Sequence, residues 1–161
     1  MAALTVWKFD TVMGAQEALD KLVELSKQHL IQINDAAIVS WSAGAKKPKT
    51  HNYGSMTGQG AVSGAFWGML FGLIFFVPFF GMAVGAAMGA LSGKFADYGI
   101  NDQFIKEVRD QVTEGTSALF LLTSGAVQDR VAEAFQGVSA ALIQSNLSNE
   151  QEAQLMEDFG G

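Results

Sequence analysis

The sequence predicts an α+β domain with an apolar helical hairpin set into it. Three observations carry that reading. The outer parts of the chain alternate short β-type runs with amphipathic helical runs. A block of 44 residues, Thr50 to Gly93, contains no Asp, Glu, Lys or Arg, while the other 117 residues hold all 26 charges. Inside that block, glycines recur at every fourth position. At 161 residues the chain has room for one sizeable core.

The elements follow in order. Leu4–Phe9 alternates Leu4 and Val6 with Thr5, Trp7 and Phe9, which predicts a strand. Ala15–Leu30 sets Ala18, Leu19, Leu22, Val23 and Leu25 on one helical face. Asp35 precedes a strand over Ala36–Ser42, Ala43-Gly44-Ala45 turns, and Lys46–Tyr53 returns as an edge strand, because Pro48 has no N–H to give a central ladder. Beyond the block, Asn101 is an N-cap for a helix over Asp102–Val112, with Phe104, Ile105, Val108 and Val112 inward and Gly115 as its stop. Ser117–Thr123 reads as a buried strand, Val127–Phe135 as a helix and Ala140–Asn146 as a strand. Ser148 and Gln151 have the spacing of a capping box opening a tail helix, whose Glu150, Glu152, Glu157 and Asp158 read as a solvated acidic end. Without the block the order is β-α-β-β-α-β with a further α-β. That order is ferredoxin-like, a mostly antiparallel sheet with helices on one face. The α+β domain then comprises residues 1–57 and 95–161, and the inserted hairpin 58–94 turns at 75–80.

The hairpin is the strongest signal. Gly60, Gly64, Gly68 and Gly72 form one set spaced by four, and Gly81, Gly85, Gly89 and Gly93 form a second. That spacing draws a narrow stripe along a helix. Folding the chain back at residues 76–77 brings each glycine of one set level with one of the other. Such small-xxx-small stripes let helices approach closely, and the eight positions are read as helix-packing and oligomerisation residues. Each glycine costs about 1 kcal/mol relative to alanine in a helix interior. Close packing or lipid must offset a penalty repeated eight times. A flexible linker is excluded by Trp67, Met69, Leu70, Phe71, Leu73 and Ile74 between the glycines.

The tip reads Phe75-Phe76-Val77-Pro78-Phe79-Phe80, with Pro78 breaking the helix. Each arm, of about 17 residues at 1.5 Å per residue, reaches about 25 Å, near the minimum to cross a hydrocarbon core of about 30 Å. Six apolar residues make a poor aqueous turn, so the tip is read as inserting into the apolar phase. Lys46, Lys47 and Lys49 before the block and Lys94 after it are the interfacial basic residues. They place both flanks, and with them both termini, on the cytoplasmic side of the inner membrane.

Chemistry is thinly represented. There is no cysteine, which removes disulfides, thiolate metal sites and thiol nucleophiles. A net charge of −6 argues against nucleic acid as a partner. Met1–Asp10 lacks the basic and then apolar pattern of a signal peptide. Gly58-Gln-Gly60-Ala-Val-Ser-Gly64 is one residue too long for a dinucleotide loop. The glycines of Gly89-Ala-Leu-Ser-Gly93-Lys94-Phe95 stand too close for a phosphate loop, and Phe95 replaces the hydroxyl residue. His29 is placed to cap the first helix, and His51 lies in the polar stretch before the hairpin. Ser63 and Ser92 suit hydrogen bonding between helices. No catalytic set, metal site or cofactor is predicted.

The glycine arms around Pro78, then Lys94, the run Asp97-Tyr98-Gly99-Ile100-Asn101-Asp102-Gln103-Phe104-Ile105-Lys106 and the run Gly115-Thr116-Ser117-Ala118-Leu119-Phe120-Leu121-Leu122 resemble a bacterial family of predicted membrane proteins of unknown function, the domain-of-unknown-function family numbered 1269. The ending Leu147-Ser148-Asn149-Glu150-Gln151-Glu152 fits it as well. The resemblance implies a ferredoxin-like portion with a glycine-zipper insertion and implies no activity. The expected function is that of a non-enzymatic, membrane-associated homo-oligomeric scaffold. Its hairpin inserts in lipid, self-associates and organises or curves the membrane, with lipid and further copies of the chain as partners. The alternatives are a pore or channel lined by the hairpins, a soluble oligomer that buries them around an apolar or lipid-filled centre, or a hairpin buried inside a soluble core.

Overall fold

The computed structural model describes residues 2–28, 35–46, 48–54, 64–76, 93–135 and 140–159. In order they form β1 (Ala2–Phe9), α1 (Gly14–Lys27), β2 (Asp35–Ser40), β3 (Lys49–Gly54) and α2 (Gly64–Phe71). A π-helical stretch, Gly72–Phe76, continues α2. Then come α3 (Asp102–Gln111), β4 (Ser117–Ser124), α4 (Gly125–Ala134), β5 (Ala140–Leu147) and α5 (Asn149–Phe159). Residues 93–97 are helical as well.

The strands make one antiparallel sheet in the order β3-β2-β4-β1-β5. β1 lies between β4 and β5, with Val6 opposite Phe120 on one side and Ile143 on the other. Two β-α-β units therefore interleave. β4 lies between β1 and β2, which α1 joins, and β1 lies between β4 and β5, which α4 joins. This is the ferredoxin-like arrangement. Its second crossover helix is α4, whereas chain order alone offers α3, the first helix after the charge-free block. β3 is the added strand and lies at the sheet edge, as Pro48 requires.

Helices cover both faces, which corrects the one-sided arrangement. α1 and α4 share one face. There Ala15, Leu19 and Leu22 of α1 and Val131 of α4 pack with Trp7, Phe9, Ile38, Leu119 and Leu121. Phe135 meets Trp7 edge-on at 5.0 Å. The other face, with Leu4, Val6, Val39, Phe120 and Leu122, lies under α2, its π-helical continuation and α3. The reason is written in β4. Ala118, Phe120 and Leu122 point one way and Leu119 and Leu121 the other, so neither face of this central strand can be left to water.

Local hydrogen bonds fix the joints. The Ser117 hydroxyl donates to the Thr11 carbonyl at 2.7 Å and accepts from the Ala15 N–H at 2.9 Å, so β4 caps the start of α1. Asn101 caps α3 by accepting from the Phe104 N–H at 2.9 Å. At α5 the Gln151 N–H donates to the Ser148 hydroxyl at 3.1 Å, and the Ser148 N–H donates to Gln151 Oε1 at 2.9 Å. α5 is not merely a solvated tail. Leu155 is fully buried in the core on the α2 side of the sheet, and Met156 packs against it. Glu150 and Glu157 stay outside, as an amphipathic helix allows.

Two predictions follow from this packing. Trp67 is 1% exposed among Phe66, Phe71 and Phe120, and its indole N–H has no acceptor among the described residues. Trp67→Ala should cost about 3–5 kcal/mol in urea unfolding, as for other large core truncations. Trp67→Phe, which removes the unsatisfied donor, should cost much less. Equal stability of Trp67→Ala and wild type would show that α2 does not bury this sheet face. Gly99 has φ +94°, and a Cβ there would lie 2.9 Å from the Asn146 carbonyl oxygen, whereas Gly115, at φ +81°, has open space. Gly99→Ala should therefore destabilise by more than about 1 kcal/mol, and by more than Gly115→Ala. The reverse order would displace the Tyr98–Gly99 loop from its place against β5.

Candidate functional site

The charge-free block enters the described structure as a core element. Phe66, Trp67, Leu70, Phe71, Leu73, Ile74 and Phe75 are all buried. In a helix these residues form a broad inward face, and what remains outward is Gly68 and Met69, both exposed, with Gly72 partly so. Met69 is 41% exposed. A Cβ built on Gly68 or Gly72 meets no heavy atom within 4 Å among the described residues, and the same holds at Gly93. The glycine stripe of this arm thus faces away from the sheet. Large side chains make the contact with the domain.

The other sequence-derived positions divide as follows. Gly64 opens α2. Gly60, Gly81, Gly85 and Gly89 lie outside the described residues, as do Val77, Pro78, Phe79, Phe80, Lys47, His29, Ser63 and Ser92. Phe76 ends the π-helical stretch. Phe75, read from the sequence as part of the inserting tip, is 2% exposed and meets Trp41 edge-on at 6.3 Å. Lys46 and Lys49 are exposed, and His51 is exposed on edge strand β3. Among the described residues no helix is long and apolar enough to cross a membrane, and no three His, Asp or Glu side chains gather.

Two polar anchors hold the block, one at the end of its first arm and one at its exit. At the end of the first arm, Arg109 of α3 donates from Nε to the Ile74 carbonyl at 2.8 Å and from Nη2 to the Leu73 carbonyl at 2.7 Å. A cation suits the carbonyl-rich C-terminal end of a helix. At the exit, Lys94 lies 3.9 Å from the Asp158 carboxylate, and the buried Tyr98 donates its hydroxyl to the same carboxylate. Burial, then the hydrogen bond to Asp158, holds the Tyr98 phenol well above its ordinary range, so it remains a donor. The Ser145 hydroxyl donates to the Gly99 carbonyl. The exit of the block is thereby tied to β5 and α5. These anchors are absent from the sequence reading. Arg109 follows Val108 at the edge of the apolar stripe of α3, which is the signal available for it. The Tyr98–Asp158 pair is 60 residues apart and has no local signal.

Comparison with curated proteins finds no match, and neither does comparison with solved structures. The family model described as protein of unknown function (DUF1269) matches residues 61–160, a stretch that runs from the glycine-lined arm to the end of α5, and the chain belongs to that family.

Proposed function

We propose that this protein is a non-enzymatic scaffold that associates with the inner membrane and with further copies of itself through the glycine-lined face of its charge-free block. The carrying observation is the outward face of α2 and its continuation, Gly68, Met69 and Gly72, on a helix whose other face is fully engaged. Glycine in a helix interior is unfavourable in water. A stripe of it with nothing packed on it among the described residues is the surface against which a second helix approaches most closely. The 44-residue absence of charge supports lipid as the other contact, with the sheet domain and both termini on the cytoplasmic side, and exposed Lys46 and Lys49 suit that surface. A second reading is a soluble oligomer that buries the glycine faces in its own centre. The seven buried side chains that seat the first arm on the sheet favour it.

Gly68→Leu tests the contact between copies. Among the described residues the new side chain has room, and leucine is the better helix former, so the folded monomer should be unharmed or gain up to about 1 kcal/mol. The assembled species on native gels should nonetheless be lost. Assembly that survives in both Gly68→Leu and Gly72→Leu would overturn the reading. Flotation of the wild-type chain with anionic vesicles separates the two versions: co-flotation supports the membrane scaffold, and a stable particle that stays with the unbound fraction supports the soluble oligomer.

A further inference from the structure

A cleft of about 570 Å³ opens where the first arm meets α3. Its walls are largely apolar, with Trp41, Ile74, Phe75 and Val112, and Arg109 and Glu114 supply its charge. The volume lies in the range of small-molecule sites, which combine an apolar body with a few polar groups. Trp41 is fixed there at three points. Its indole N–H donates to the Ala45 carbonyl at 2.9 Å, its backbone N–H to the Thr116 carbonyl at 2.9 Å, and its carbonyl accepts from the Gly115 N–H at 2.6 Å. The wall is preformed.

Arg109 is the unusual member. Among the described residues no carboxylate lies within 4.0 Å of its guanidinium, and its recorded partners are the two carbonyls of Leu73 and Ile74. Those bonds use two of the five N–H donors of a guanidinium. Its helical neighbours three and four residues away are Ile105, Lys106, Val112 and Thr113, so no acid on α3 neutralises it. Glu114 lines the same cleft and is engaged by the Gly44 N–H at 3.3 Å. A half-buried cation with spare donors at an apolar cleft matches a carboxylate joined to an apolar body.

We propose that this cleft binds a small amphipathic carboxylate, its apolar body against Trp41, Phe75 and Val112 and its carboxylate on Arg109. This site is separate from the glycine face, and its test does not depend on self-association.

The probe is decanoate, titrated calorimetrically below its micellar concentration into the full chain in a nonionic dispersing buffer, with decanol as the uncharged comparison. Decanoate should bind saturably, and decanol more weakly by about tenfold, the scale of a hydrogen bond to a charged group. Arg109→Gln should weaken decanoate by a similar factor, and Glu114→Gln should tighten it by removing a like charge. Because Arg109 also holds the arm, Thr113→Phe is the second variant. Thr113 is exposed at the cleft, and its recorded bonds to Thr116 use only its backbone, so the substitution fills the space and leaves the fold. Loss of decanoate binding in Thr113→Phe confirms the site. Wild type that does not bind decanoate, equal affinity for decanol, or unchanged binding in Thr113→Phe would overturn the proposal.

Discussion

The rest of the structure depends on one constraint: the central strands are apolar on both sides. β4 carries Phe120 and Leu122 toward one face and Leu119 and Leu121 toward the other, and β1 repeats the pattern with Leu4 and Val6 against Trp7 and Phe9. The crossover helices α1 and α4 close one face. The second is closed by chain inserted between β3 and β4. Burying each large apolar side chain contributes roughly 1.5–3 kcal/mol, and the first arm brings seven of them. The arm is therefore part of the domain's stability as well as a candidate for contact with lipid or with other copies.

Once the arm lies on the sheet, the neighbouring features acquire a reason. The chain must leave the block and reach α3 without exposing the core. The Tyr98–Gly99 loop does this. Tyr98 is buried, Gly99 takes a left-handed conformation where a side chain would strike the Asn146 carbonyl, and Asn101 then caps α3. α5 completes the enclosure with Leu155 inside and Asp158 bonded to Tyr98. Arg109 fastens the end of the arm through the Leu73 and Ile74 carbonyls. The family match, residues 61–160, spans the arm, the Tyr98–Gly99 loop, Arg109 and α5, while β1 and β2, which also lie under the arm, precede it.

The division of labour within the arm bears on function. Large residues contact the sheet, while Gly68 and Gly72 point away from it. If the glycines served packing within the described domain, a Cβ at those positions would meet neighbouring atoms, and none lies within 4 Å. Open space at these positions is what the proposed contact with a second helix uses, since close backbone approach rewards the absence of side chains.

Most elements were legible in the sequence because their signals are local. Period-two alternation placed β1, the continuous apolar run placed β4, and amphipathic spacing placed α1 and α4. The Asn101 cap and the Ser148–Gln151 box marked helix starts to the residue. The charge-free block and its glycine stripe were equally plain. Which helix completes the ferredoxin-like unit was not legible, because α3 and α4 are both amphipathic and only strand pairing separates them. The side of the sheet taken by the first arm, the burial of Phe75 against Trp41, and the Arg109 and Tyr98–Asp158 anchors were likewise decided in three dimensions. Periodicity records which face of an element is apolar. It does not record which surface that face will meet, since a hydrophobic contact has no direction and many partners would satisfy it.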